Sequence, residues 1–225
     1  MLKTADFGYD GKGQLKITGG ENPMEVWAKF GKQRALLEAW VPFEKEISVM
    51  VVRGKHGESA SYDSAENRYR SHSIEVSIVP ARIAESVAEG ARRIAEKVAV
   101  ALGYRGIMGL EFFVKIDGPL LVNEMAPRPH NSGHHALDAC ATSQFEQQLR
   151  AVLGLPLGST RLETPDAVPL LYGKRRAIGM RKMGHATLLA ADALGIYLGA
   201  IHSCFSFSKS SKSSPHGRFE LNSSG

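Results

Sequence analysis

Cysteine is scarce in this chain: Cys140 and Cys204 are its only two thiols in 225 residues. Two cysteines make no disulfide framework, which fits a reducing compartment. Long apolar runs are missing too; none approaches the roughly 20 residues that a membrane-spanning helix needs. The first residues lack the charged-then-apolar order of an export signal. A cytoplasmic protein without a membrane partner is therefore expected. Also absent are the P-loop pattern, the dinucleotide GxGxxG pattern and any Cys/His or Ser/His arrangement suggestive of a nucleophile. The formal charge is +5, but Lys and Arg are dispersed among acids. No aromatic–basic interleaving marks a nucleic-acid groove, so no nucleic-acid partner is expected. With 43% hydrophobic and 23% charged residues, the chain reads as ordinary folded protein, long enough for one large or two small domains.

What is present begins with helices. Over 80–102, Ile83, Val87, Ala91, Ile94, Val98 and Leu102 recur at steps of three and four, predicting one apolar stripe that ends at Gly103. Asn22-Pro23 predicts a capped helix start. Ser143–Leu153 predicts another helix, closed by Gly154 and Pro156. From Pro165 to Leu188, short apolar runs broken by glycine predict small strands. Beyond His202 the chain is rich in Ser with Lys, Pro and Gly, and too little apolar surface is available there to offset ordering entropy.

The densest chemistry lies in Leu121–His134, where Glu124 precedes Arg128, His130, Asn131 and His134. Two apolar runs, Gly109–Lys115 and Leu120–Met125, flank Asp117-Gly118, a hairpin signal. A turn centred there predicts Val114 opposite Leu121 and Glu111 opposite Glu124. An odd-length loop would break that register. Opposed strand residues have Cβ atoms about 4.5–5.5 Å apart, and two carboxylates that close repel unless a proton or cation lies between them. A hard divalent ion sharing both with nucleotide phosphates suits the pair, and Mg²⁺ is the expected metal.

Near the start, Leu2–Thr4 and Leu15–Ile17 bracket a loop, Phe7–Gln14, with three glycines and Lys12. Its N–H groups can converge on phosphate, with Lys3 and Lys12 adding charge. Leu36–Val41 and Glu46–Arg53 read as two strands of one edge that could bind an adenine through its backbone and a ribose through Glu46. An ordinary core hairpin explains the same pattern.

In this order, FGYDGKGQ (Phe7–Gln14), EAWVPFEKEIS (Glu38–Ser48), GLEFFV (Gly109–Val114), NEMAPRPHNSGHH (Asn123–His135), SQFEQQLRAVLGLPLG (Ser143–Gly158) and RKMGH (Arg181–His185) resemble the ATP-grasp superfamily. Within it, the chain is similar to the 5-(carboxyamino)imidazole ribonucleotide synthetase family of purine biosynthesis. The wording near Ala139–Gly158 is closer to the fungal and plant form fused to a carboxylase domain. The resemblance implies an α+β fold of two lobes that hold ATP and Mg²⁺ between them. Expected units are a small lobe at 1–56 with the phosphate loop, a large lobe at 57–158 with the metal hairpin, a small β-rich subdomain at 159–190 and a disordered tail at 191–225.

By the same resemblance, Lys3 contacts phosphate, and Gly8, Tyr9, Asp10, Gly11, Lys12 and Gly13 close over it. Glu38, Ala39, Trp40 and Val41 line the adenine site, and Glu46 holds the ribose. Glu111 and Glu124 ligate Mg²⁺, with Asn123 beside them. Arg128, His130 and Asn131, with Lys182, hold the anionic intermediate and substrate phosphate, while Tyr9 and Asp10 face the substrate. The implied reaction is ATP- and bicarbonate-dependent carboxylation of aminoimidazole ribonucleotide through carboxyphosphate. Implied partners are these small molecules, a second copy of the chain and a carboxylase (mutase), fused or separate. A plant parent could carry a plastid-targeting extension. The family's N-terminal nucleotide-fold domain is missing, Tyr69 stands where the family has His, and Lys12 where many relatives have Arg. The resemblance ends near Leu189. Two competing readings are an inactive fragment that binds only nucleotide or an intact partner, and a related enzyme with another acyl acceptor.

Overall fold

The computed structural model describes residues 1–6, 13–70, 73–116, 118–163, 168–171 and 184–187. The phosphate-loop residues Gly8, Tyr9, Asp10, Gly11 and Lys12, the RKMGH residue Lys182 and the 191–225 tail lie outside them.

A small antiparallel sheet forms first, with β1 (Leu2–Thr4) between β2 (Gln14–Leu15) and β3 (Ala35–Leu37). Between β2 and β3 lies α1 (Pro23–Lys29). Its start is the one expected: the Asn22 side chain accepts from the Met24 N–H at 2.9 Å, and Pro23 occupies the first turn, where its missing N–H costs nothing.

The larger sheet is built around two nine-residue strands, β4 (Lys45–Arg53) and β8 (Gly106–Val114), paired along their full length. One edge of β4 is shared by β6 (Ala65–Arg70) and β5 (Ser59–Ser61), and β7 (Ser73–Ile78) extends β6. On the other side, β9 (Leu120–Ala126) closes the sheet against β8. The expected edge made by 36–41 and 46–53 does not form. β3 pairs with β1, whereas β4 enters the large sheet. Its near-continuous apolar run, ISVMVV, needs cover on both faces, which only a central strand receives. The two sheets therefore divide within 38–44, ahead of the boundary expected at 56.

Pleating sorts the large sheet into two faces. Ile47, Val49 and Val51 of β4 and Met108, Leu110, Phe112 and Val114 of β8 pack under α2 (Glu85–Ala101). Met50, Val52 and Ile107 point the other way, toward Ala136 of α3 (Ala136–Ala139) and Ala151 of α4 (Gln144–Leu153). α2 differs in detail from expectation. It starts at Glu85, not 80, and its buried line is Ala88, Ala91, Ala95 and Ala99. Val87, Ile94 and Val98 flank that line, Ile83 packs from ahead of the helix, and Leu102 is exposed. Alanine at the line of closest approach lets the helix backbone sit near the sheet, so the larger residues straddle the contact.

α4 has the expected ends. The Ser143 Oγ accepts from the Glu146 N–H at 3.1 Å, and Gly154 adopts φ 75° past the last turn. Further on, β10 (Val168–Leu171) pairs antiparallel with β11 (Gly184–Thr187), two of the short strands anticipated there. Thr187 Oγ1 lies 3.5 Å from Asp138 Oδ2, tying β11 back to α3.

Ala95 is wholly buried between α2 and the sheet. Ala95→Leu should overpack this contact and lower stability by about 1–3 kcal/mol, read as a lower urea midpoint with an unchanged slope.

Candidate active site

The α3–α4 layer covers only part of its sheet face. Beyond Met50 the same face continues with Ser48 and Glu46 on β4; beyond Ile107 and Gly109 it continues with Glu111 and Phe113 on β8. Asn67 of β6, which pairs with Glu46, joins them by donating to Ser48 Oγ at 2.9 Å and accepting from Ser77 Oγ at 2.8 Å. A rigid, apolar platform thus turns into a polar surface along the same strands.

Glu111 and Glu124 are directly opposed across β8 and β9. The pair is the expected one, but the register that makes it is not. Val114 faces Leu120, not Leu121. The connecting segment, 115–119, is odd in length and is closed by the Lys115 N–H donating to Pro119 O at 3.1 Å, with Gly118 at φ 95°. Continued regularly, that register would set Glu111 against Asn123. The register shifts between Glu111 and Phe112, where Asn123 is the extra residue on β9. Such a bulge re-aims the strand beyond it, and here it brings Glu124 level with Glu111. Asn123, expected beside the metal, is the residue that sets the pairing.

Burial pushes the Glu111 carboxyl up to about 7, and the facing Glu124 charge adds to the effect. Glu46 is raised by burial. The Tyr69 hydroxyl is raised by burial and then by Glu111, Glu46 and Glu124, so it stays protonated and donates to Glu111. His130 reaches Glu111 from above, its Nε2 3.4 Å from Glu111 Oε1. Arg128 lies close enough to Glu111 to oppose the upward shift.

These are hard oxygen donors with no soft ligand among them. Among the described residues, no three His, Cys, Asp or Glu side chains gather to form a protein-only cage. Two carboxylates with the remaining positions left to phosphate and water is the pattern that suits Mg²⁺, so the donors fit the expected ion.

The other expected contacts distribute as follows. Lys3 and Glu38 form an ion pair at 2.6 Å within the small lobe, where the Glu38 and Met1 backbones also bond reciprocally. Ala39, Trp40 and Val41 lie in the segment linking the sheets, with Lys16 Nζ 4.5 Å from the Trp40 ring centroid. Gly13 has φ 72°, suited to the end of a tight loop. Asn131 opens a single 3-10 turn, Asn131–Gly133, directly after His130.

Several site residues escaped the reading of the sequence. In the sequence, Tyr69 stands out only as a departure from the family pattern. Phe43 and Phe113 stack at 4.5 Å with 13° between rings, beside Glu111's end of β8. Gln144 is wholly buried and grips the His130 backbone from both sides, accepting from its N–H and donating to its carbonyl, each at 2.9 Å. Alternation along Glu66–Tyr69 does separate Asn67 and Tyr69 from Glu66 and Arg68. Glu66 points to the α2 side, where burial raises its carboxyl but the bond from Arg82, with Lys45 and Arg68 nearby, brings it below the usual range.

The model of the ATP-grasp domain matches residues 1–145, and that of the phosphoribosylaminoimidazole carboxylase C-terminal domain matches residues 145–195. The chain is 44% identical to the N5-carboxyaminoimidazole ribonucleotide synthase of Brucella melitensis, over 83% of this chain and 58% of the relative. It is 36% identical to the phosphoribosylaminoimidazole carboxylase of Ogataea methanolica, over 84% of this chain and 40% of the relative. The fold matches the ADP complex of an N5-carboxyaminoimidazole ribonucleotide synthetase with a TM-score of 0.84 at 38% identity, covering 89% of this chain and 59% of that one. The chain thus spans little more than half of the bacterial relative's length and two-fifths of the fungal one's.

A carboxyl raised on folding disfavours the folded state once ionised. For Glu111 the penalty is absent below the unfolded value of 4.5 and complete above about 7. The metal-free chain should lose up to about 3 kcal/mol as pH rises through that window. Glu111→Gln should flatten this part of the curve and melt higher than wild type at pH 8 without metal, read by thermal denaturation in chelator.

Proposed function

The chain belongs to the ATP-grasp domain family, and on that premise we propose that it binds Mg-ATP on the polar face of the large sheet and carboxylates aminoimidazole ribonucleotide with bicarbonate. One observation carries the reading: Glu111 and Glu124 face each other beside His130 and Arg128, on the face left open by α3 and α4. The bacterial and fungal relatives, named for this synthase and for the carboxylase of the same substrate class, support the choice of acceptor.

When bound, Mg²⁺ would neutralise the developing charge on the phosphate oxygens. The chain's own groups orient the reactants around that centre. Glu111 and Glu124 fix the triphosphate end, while Glu46, two residues from Ser48 on the same face, reaches the ribose. Phe43 and Phe113 offer an aromatic wall where that face meets the linking segment. Bicarbonate oxygen attacks the γ-phosphorus, ADP leaves, and carboxyphosphate forms. The exocyclic amine of the ribonucleotide then attacks its carboxyl carbon, phosphate leaves, and the nitrogen gives up a proton. Arg128 and Asn131, with Lys182, hold these anions, while His130 stands against Glu111; Tyr9 and Asp10 meet the substrate. No side-chain nucleophile is required, because positioning and charge neutralisation supply the rate.

This reading favours a homodimer in a cytoplasmic setting, with a carboxylase, fused or separate, consuming the product. It is tested by ADP release from Mg-ATP and bicarbonate, with and without aminoimidazole ribonucleotide. Release should depend on the imidazole. Stimulation by another amine acceptor alone would favour a sister enzyme, and no release from folded protein would favour a nucleotide-binding fragment. Glu124→Gln should reduce turnover by roughly 100-fold or more while circular dichroism stays unchanged; wild-type turnover would remove the shared-ion assignment.

A further inference from the structure

The Glu111 carboxylate does not meet His130 by accident of packing. His130 is fixed by three residues, each from a different element. Gln144, at the start of α4, clamps the His130 backbone through both amide atoms, at 2.9 Å each. Gly109, beneath it on β8, leaves the space the ring needs: a Cβ there would lie 3.0 Å from His130 Cβ and 3.2 Å from Cγ. The third hold is Ser132, wholly buried, whose Oγ is 2.9 Å from His130 Nδ1. The Ser132 carbonyl is itself pinned, accepting from His135 Nδ1 at 3.0 Å.

We propose that Ser132 is a positioning residue that locks His130 in one tautomer, with the proton on Nε2 facing Glu111. The inference rests on the reading of Glu111 as a metal ligand. An ionised Glu111 can only accept, so a productive contact at Oε1 needs a proton on Nε2. Nδ1 must then accept, and the buried hydroxyl of Ser132 is the group placed to donate to it. The chain Ser132–His130–Glu111 orients the carboxylate that shares the ion with Glu124, as outer hydrogen bonds commonly orient metal-bound groups. Tyr69 donates to the same carboxylate from β6. Glu111 is thus gripped from two sides, while Glu124 sits on the exposed edge strand.

Two measurements test this, neither needing turnover. At pH 8 with Mg²⁺ and ADP, where Glu111 is ionised, a nitrogen–proton correlation spectrum of the ¹⁵N-histidine-labelled wild-type chain should show His130 protonated at Nε2 and bare at Nδ1; the opposite tautomer would overturn the proposal. Ser132→Ala, with unchanged circular dichroism, should mix the tautomers and weaken Mn²⁺ binding to the protein–ADP complex about 10–100-fold, read by electron paramagnetic resonance titration. Affinity equal to wild type would overturn it. If that variant fails to fold, the wild-type spectrum still decides. A wild-type chain that binds no Mn²⁺ with ADP would instead remove the metal-nucleotide reading and this inference with it. Loss of binding in Glu111→Gln alone would leave that reading standing and remove only Ser132's part.

Discussion

Two carboxylates facing each other across β8 and β9 constrain the structure around them more than any other contact. Unpaired, they repel, and burial of Glu111 sharpens the conflict by holding its carboxyl up to about 7. Such a pair persists only on a backbone stiff enough to resist splaying. β4 and β8 supply that stiffness, paired over nine residues and covered on one face by the close-packed alanines of α2. Hydrogen-bond donors then gather about the buried member: the Tyr69 hydroxyl from β6, the His130 ring from the segment after β9, and the positive field of Arg128. Sheet, helix and loop converge on one oxygen pair.

The location of the site follows from incomplete cover. α3 and α4 shield Met50, Val52 and Ile107, but not the next residues along the same strands. A sheet face left open must either be polar or carry a ligand. Here it is polar, and its inner members are satisfied locally, as in the Ser77–Asn67–Ser48 chain of hydrogen bonds. Glu46, Glu111 and Glu124 are the members with charge to spare. On the proposed reading, a cation shared with the oxygens of a nucleotide would complete that surface, consistent with membership of the ATP-grasp family.

Tyr69 shows how one departure from a family pattern changes the chemistry of its position. A histidine is expected there from the family resemblance. The phenol supplies a donor toward Glu111, and desolvation together with three neighbouring carboxylates keeps its proton in place. Unlike imidazole, it adds no positive charge near neutral pH. The carboxylate cluster therefore relies on Arg128 for positive charge, while His130 contributes an N–H beside Glu111.

Local rules were legible in the sequence wherever one element decided the outcome by itself. Asn22-Pro23 and Ser143 begin helices because their caps act within one turn, and Gly154 ends one because its φ is left-handed. Glu111, Glu124, Arg128 and His130 could be singled out in advance as one candidate cluster by residue type and hairpin spacing, whereas the roles expected of them came from the family resemblance. Tertiary structure decided what depends on a partner. β4 joined the large sheet instead of pairing with β3, because a run of five apolar residues broken only by Ser48 needs cover on both faces. The α2 contact line moved to its alanines, because the distance of closest approach belongs to helix and sheet together. An odd loop shifted the hairpin, and the extra residue at Asn123 shifted it back, since register is a property of two strands. Ser132 and Gln144 gained their roles only when the fold carried them to His130; hydrogen-bond partners are set by position in space, which local sequence does not encode.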